Sequence, residues 1–156
     1  MRIIGGTLRN KKILNPIDKS TRPLRDLVRE SIFNIIEHSK NEYVELNKAK
    51  VLDLFSGTGS FGIECLSRGA EKVTFFENYT NSIKILKKNL ELLNLNKYSR
   101  LIEKDAYNIS QSQHNLLKFD LIFLDPPFKD NKLNQLIERI KKIKITSKNT
   151  LIIIHR

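Results

Sequence analysis

From Lys50 onward, short apolar runs alternate with stretches whose apolar residues recur at three- and four-residue steps, the pattern of strands alternating with helices. Lys50–Leu54, Lys72–Phe76, Ser99–Glu103, Phe119–Leu124 and Thr150–Ile154 read as five strands, the first of them an apolar run readable as a buried strand. Ile63 to Ser67 reads as the helix after the first strand, closed by a turn at Arg68-Gly69. Asn81 to Leu93 reads as the helix after the second, with Ile83, Leu86, Leu90 and Leu93 on one side. Residues 108–118 predict a short helix before the fourth strand, and Lys132 to Lys144 a basic helix before the fifth. Crossovers between parallel strands are right-handed. The pattern therefore predicts an α/β fold with a mostly parallel sheet and helices on both faces.

The first 45 residues follow another rhythm. Arg2-Ile3-Ile4-Gly5-Gly6 and Lys11-Lys12-Ile13-Leu14 read as two short strands around a glycine connection, a small hairpin. Residues 15–23, with Pro16 and Pro23, read as an extended loop. From Leu24 or Asp26 the positions Leu24, Val28, Ile32 and Ile35–Ile36 predict a helix, which polar Asn41 to Lys50 ends. This divides the chain into an N-terminal extension, residues 1–45, and a main domain, residues 46–156.

Charge adds a class of partner. With 28 Lys and Arg against 17 Asp and Glu in 156 residues, the formal net charge of +11 favours a polyanion. Lysine, asparagine and isoleucine are all abundant, as in a compositionally biased sequence, so the arginines carry more information. Arg2, Arg9, Arg22, Arg25 and Arg29 fall in the first thirty residues, where eight basic side chains face three acidic ones. Arg25 and Arg29 lie one helical turn apart, a spacing that suits consecutive phosphates or, alternatively, pairing with Asp26 or Glu30. One cysteine, Cys65, excludes an internal disulfide. The longest apolar runs fall far short of a membrane span, and residues 1–15 have no signal-peptide core. A cytoplasmic protein, monomeric, with no membrane partner and no metal, is the expectation.

Candidate chemistry gathers at the strand ends. After Val51 to Leu54 comes Phe55-Ser56-Gly57-Thr58-Gly59-Ser60-Phe61-Gly62, with glycines spaced as where backbone approaches a nucleotide-like ligand ahead of a helix. Asp53, Glu77, Asp105 and Asp125 stand at four successive strand ends, a line of polar contacts along one rim of the sheet. Glu77, twenty residues past Gly57, suits a carboxylate accepting bonds from two ribose hydroxyls, a spacing shared with nicotinamide cofactors. A Walker A loop is excluded, since no Gly-Lys-Ser or Gly-Lys-Thr follows the glycines. Asp53 would repel a pyrophosphate, whereas it can order the turn or face a cationic ligand. S-adenosylmethionine carries an ammonium and a sulfonium and no phosphate, and fits better.

Asp125-Pro126-Pro127-Phe128 suggests the reaction. An exocyclic amine on a base is a poor nucleophile, because its lone pair is delocalised into the ring. The Asp125 carboxylate and a backbone carbonyl of the proline loop can accept its two N–H bonds and pin the lone pair toward a methyl donor. The prolines stiffen the loop, and Phe128 can stack on the target base.

Asp53 to Gly62, Glu77, Asp105 and Asp125 to Phe128 resemble the class I S-adenosylmethionine-dependent methyltransferases that modify amino nitrogens, a Rossmann-like fold. Arg2-Ile3-Ile4-Gly5-Gly6, Thr21-Arg22-Pro23 and Asp26-Leu27-Val28-Arg29-Glu30 with Phe33-Asn34 narrow this over nearly the whole chain. Together they resemble the bacterial small-subunit ribosomal RNA guanine-N2 methyltransferase family. The resemblance implies one methyl transferred to guanine N2 in 16S rRNA, at guanine 966, within the 30S subunit or its assembly intermediate. It implies that Asp53, Phe55, Gly57, Thr58 and Gly59 belong to the cofactor site, that the Gly57–Gly59 loop borders the methionine part, that Glu77 holds the ribose, and that Asp105 with Ala106 borders the adenine. Asp125, Pro126, Pro127 and Phe128 would form the target-base site, with Arg2, Arg9, Arg22, Arg25 and Arg29 toward RNA. Leu24 and Leu27 stand where the family usually has threonine and arginine. The family fold also continues past strand five with a helix and an antiparallel strand pair, whereas this sequence stops at Arg156. Strand five would then be an edge strand: either the sheet is shortened, another subunit or a swapped element covers it, or the chain continues beyond this sequence. A DNA or other RNA amino-group methyltransferase, or a catalytically silent RNA-binding protein, are the competing readings.

Overall fold

The computed structural model describes residues 1–15, 24–38, 44–110, 118–127 and 131–155. Among these residues five parallel strands form one sheet, in the order β3-β2-β1-β4-β5. They are β1 (Lys50–Leu54), β2 (Lys72–Phe76), β3 (Ser99–Ile102), β4 (Phe119–Leu124) and β5 (Thr146–Ile154). Among the described residues four helices accompany them: α1 (Asp26–His38), α2 (Ser60–Ser67), α3 (Thr80–Leu92) and α4 (Leu133–Lys142). Single 3-10 turns occupy Asn96–Tyr98 and Ala106–Asn108. Among the described residues no helix is long and apolar enough to cross a membrane.

Successive strand side chains point to opposite faces, and this divides the core in two. Val51, Val73, Phe75, Leu121 and Phe123 join Phe61, Ile63, Leu86 and Leu90 on one face. Leu52, Leu54, Phe76, Ile122 and Leu124 join Leu133, Leu136 and Ile140 of α4 on the other. Thus α2 and α3 cover the first face and α4 the second. The chain leaves β1 toward one face and β4 toward the other, so the loops after these adjacent strands diverge. A crevice of this kind, outside the carboxyl ends of the strands, is where open α/β sheets bind ligands.

The N-terminal extension is packed into the first core. Ile3, Ile13, Leu24, Phe33 and Ile36 are buried with the sheet residues, and Phe33 stacks on Phe61 at 5.1 Å, which in turn stacks on Phe123 at 3.9 Å. The expected hairpin is reduced to one antiparallel bridge, Arg2 to Lys12, with Ile3 N donating to Lys11 O and Ile13 N to Met1 O. Its two arms do not run on as strands because the segment is spent on the main domain instead. Ile4 N and Gly5 N donate to the Glu64 carboxylate, and Thr7 N to Ser67 O.

β3, α3 and α4 differ from the sequence pattern by one or two residues at an end, and α2 and β5 by more. Helix α2 starts at Ser60, because Gly62 is not a turn glycine but a helical one. A Cβ there would come within 2.3 Å of the Phe75 ring, so the residue is small to let helix and sheet meet. Strand β5 starts at Thr146, where polar residues 147–149 form an irregularity in the ladder with β4. Thr150 Oγ1 donates to Phe119 O there, and Ser147 N to Thr150 Oγ1. A 3-10 turn occupies Ala106–Asn108, and most of the short helix expected over 108–118 falls on residues 111–117, outside the described residues.

Candidate active site

The glycine loop is held from below by strand ends and from the side by a carboxylate. Phe55 adopts φ 62°, a left-handed conformation uncommon for an aromatic residue, and turns the chain out of β1. Ser56 N then donates to Phe76 O, and Gly59 N to Ser56 O, closing the turn. Gly59, at φ 84°, precedes α2 and lies so close to Leu86 that an added Cβ would fall 2.3 Å from its methyl. Gly57 is different: a Cβ there would meet nothing within 4 Å, so the loop presents open backbone at that point.

Asp53 is 1% exposed, within β1 rather than past it, and its Oδ2 accepts the Gly62 N–H at 3.0 Å. It thus orders the first turn of α2. Burial pushes its carboxyl well above the ordinary range, the Gly62 hydrogen bond offsets part of that, and Asp125 and Glu77 push it further up. Glu77 ties two loops together. Its Oε2 accepts Gly57 N at 2.6 Å, and its Oε1 accepts Asn78 N at 2.9 Å and Tyr79 N at 2.8 Å. Three of a carboxylate's four or so acceptor positions are thereby filled. Asp105 caps the 3-10 turn by accepting Tyr107 N at 3.0 Å, with Ala106 buried beside it, and the Tyr107 ring lies 5.3 Å from that of Phe55. Asp125 follows β4 directly and pairs through Oδ1 with His155 Nδ1 at 2.8 Å. Burial raises its carboxyl above the ordinary range, and the His155 hydrogen bond and charge pull it back down. Pro126 is buried and Pro127 exposed. Phe128 lies outside the described residues.

The structure therefore brings Asp53, Phe55 to Gly59 and Asp125 together at the β1/β4 crevice, with Glu77 and Asp105 along the same rim. The arginines separate. Arg2, Arg9 and Arg25 are exposed, with Arg2 and Arg9 bordering a cavity of about 160 Å³ that Asp26 and Glu30 share. Arg22 lies outside the described residues. Arg29 is a correction: it is fully buried and not part of a basic surface. Its Nη2 donates to Asp26 Oδ1 at 3.0 Å and to Arg2 O, and its Nε stands 3.6 Å from buried Glu64. A guanidinium taken out of water needs such partners, and the pairing with Asp26 is what the spacing offered as the alternative.

Three residues of the site's support were not singled out from sequence. Glu64, fully buried, receives Ile4 N, Gly5 N and Arg68 Nε. Its signal was an acid inside an otherwise apolar helix, four residues before Arg68. Asn89, 1% exposed, donates to Thr58 O at 3.0 Å and exchanges two bonds with the Leu14 backbone, joining the glycine loop to the N-terminal extension. His155 carried no pattern at all.

A backbone loop left open at Gly57, flanked by carboxylates and free of any lysine that would seek phosphate, fits S-adenosylmethionine. With the parallel sheet and its crevice, this defines a class I S-adenosylmethionine-dependent methyltransferase. The family model described as Conserved hypothetical protein 95 matches residues 1–156, and the chain belongs to that family. It is 34% identical over 153 residues to ribosomal RNA small subunit methyltransferase D of Haemophilus influenzae, covering 97% of this chain and 76% of the relative. It is 36% identical over 157 residues to YlbH of Bacillus subtilis, covering 98% and 80%. The solved structure of yhhF from Escherichia coli superposes with a TM-score of 0.80 at 30% identity, covering 99% of this chain and 79% of that one.

Proposed function

We propose that the protein methylates the exocyclic N2 of a guanine in 16S rRNA, guanine 966, in the 30S subunit or its assembly intermediate. The observation that carries this reading is Asp125: a partly exposed carboxylate directly past β4, beside two prolines and across the crevice from the glycine loop. The relatives named as small-subunit rRNA methyltransferases, and the exposed Arg2, Arg9 and Arg25, support RNA as the substrate.

S-adenosylmethionine supplies an electrophilic methyl group carried on a sulfonium. The residues of this chain do the rest. Gly57 to Gly59 border the methionine part without side chains to crowd it, and Glu77 fixes that loop while offering its remaining acceptor position to a ribose hydroxyl. Asp105 and Ala106 border the adenine. Asp125 and a carbonyl of the proline loop accept the two N–H bonds of the target amine, so its lone pair faces the methyl donor. Asp125 orients and does not deprotonate, since an amine that has gained a methyl group loses its proton readily. Phe128 stacks on the base, and Arg2, Arg9 and Arg25 meet phosphates.

Transfer of labelled methyl into naked 16S rRNA, 30S particles and duplex DNA, followed by nucleoside analysis, tests the reading. N2-methylguanosine from 30S particles or 16S rRNA is the expected product. N6-methyladenosine, or methylated DNA in preference to RNA, would replace it with the competing amino-group reading, and cofactor binding without transfer would leave a silent binder.

A further inference from the structure

The Asp125 carboxylate is held by a second side chain, carried in from the neighbouring strand. The β4–β5 ladder runs one residue past β5: His155 N donates to Leu124 O at 2.9 Å. That bond fixes where the imidazole begins, and its Nδ1 reaches Asp125 Oδ1 at 2.8 Å. The two side chains are 31% and 28% exposed, so the pair sits at the mouth of the crevice and not in the core. An ionised carboxylate only accepts, so Nδ1 carries the shared proton and Nε2 is left without one in the neutral ring. Among the described residues His155 is the group whose hydrogen bond and charge act on the Asp125 carboxyl, while Asp125 in turn pushes up the carboxyl of Asp53 on β1. His155 is thus the neighbour that can steady the Asp125 charge.

We propose that His155 is a positioning residue for methyl transfer: by occupying Oδ1 it fixes the plane of the Asp125 carboxylate and leaves Oδ2 to accept the amine of the target base. This rests on the reading of Asp125 as the amine acceptor. A carboxylate free to rotate about its Cβ–Cγ bond presents its oxygens in many directions, and a hydrogen-bond acceptor orients a nucleophile only when its own direction is set. The fall of the Asp125 carboxyl back toward its ordinary range on hydrogen bonding to His155 keeps it in the accepting form.

Two measurements test the role. In the protein without ligand, two-bond proton–nitrogen correlation spectra of neutral His155 should show the Nδ1–H tautomer, and Asp125→Ala should release it toward the Nε2–H form. In single-turnover methyl transfer at saturating cofactor, His155→Leu should slow the reaction by about tenfold or more, the loss of one hydrogen bond to a charged group. His155→Asn places an amide N–H near the Nδ1 position and should recover most of that rate, with the cofactor dissociation constant unchanged in both. A wild-type Nε2–H tautomer overturns the pairing. A His155→Leu protein at the wild-type rate, or a His155→Asn protein no better than His155→Leu, overturns the positioning role. A wild type that shows the Nδ1–H pair yet transfers no methyl to any guanine substrate refutes the reading of Asp125, and the positioning role falls with it while the contact stands.

Discussion

Glu77→Gln is a sharper probe of the cofactor site than removal of the side chain. The carboxylate accepts Gly57 N on Oε2 and both Asn78 N and Tyr79 N on Oε1, at 2.6, 2.9 and 2.8 Å. An amide has one oxygen and one NH2. Whichever way it turns, its NH2 faces a backbone N–H, either that of Gly57 or the Asn78–Tyr79 pair. At least one charge-assisted bond is lost, about 1.5–3 kcal/mol, and a donor is set against a donor. Asn78 is exposed, so its N–H returns to water at little cost, and the fold should survive. Gly57 belongs to the open stretch of the glycine loop, so the loss should appear mainly as cofactor affinity. Titration calorimetry with S-adenosylmethionine should show the dissociation constant raised by roughly 10- to 150-fold, with Glu77→Ala weakened by about 1–3 kcal/mol. A glutamine that merely lost one partner of the ribose would be milder than alanine. If folded Glu77→Gln binds within twofold of wild type, the carboxylate does not hold this loop for the cofactor and the reasoning fails.

Asp125→Ala should keep cofactor affinity while single-turnover transfer falls by at least about a hundredfold, roughly 3 kcal/mol, with Asp125→Asn retaining more; wild-type transfer in the alanine variant would refute the mechanism. Arg29→Ala removes one partner of a buried cluster and should cost about 3–5 kcal/mol of stability, read as a lowered denaturation midpoint, whereas Arg25→Ala should leave folding intact. Affinity for 30S particles across a salt series should lose about one unit of slope in Arg25→Ala, and an unchanged slope would remove Arg25 from the RNA face. For Asp53, burial sets the folded pKa well above the unfolded value of 3.8, so over the interval between them the folded state holds a proton that the unfolded state has released. Wild-type stability should therefore decline as pH rises through that interval, starting near pH 4. Asp53→Asn can still accept the Gly62 N–H and should raise the melting temperature at neutral pH and flatten that decline; a lower melting temperature with the slope unchanged would contradict the assignment.

The strands were the most legible part of the fold, because a strand buried on both faces leaves an uninterrupted apolar run: β1, β2 and β4 have the bounds read from sequence. The rim of acids was legible too, since strand ends and glycine spacing are local. What failed was what depends on rotation and on distant partners. The apolar series Leu24, Val28, Ile32 and Ile35–Ile36 placed α1 with Arg29 outward, yet Ile35 is 66% exposed and the buried set runs Arg29, Phe33 and Ile36, sharing only Ile36 with that series. That second series also has helical spacing, and its charged member hid it. Gly62 read as part of the turn because only the position of Phe75 shows that its missing Cβ serves packing. His155 was invisible for the same reason: the contact with Asp125 spans thirty residues and exists only once β5 lies beside β4.

The clasp between Asn89 and the Leu14 backbone, with the Glu64 bonds to Ile4 and Gly5, has a consequence for the order of folding. These bonds close separations of 75, 60 and 59 residues. Residues 4–14 therefore have no place to settle until α2 and α3 have been synthesised and laid on the sheet. Loop closure over such lengths is slow relative to helix and turn formation, so the N-terminal segment should be among the last parts to dock. The exposed arginines of that segment would then be presented at a fixed site only on a chain whose Thr58 carbonyl is already in place for Asn89. In kinetic terms, the basic surface becomes organised after the glycine loop does.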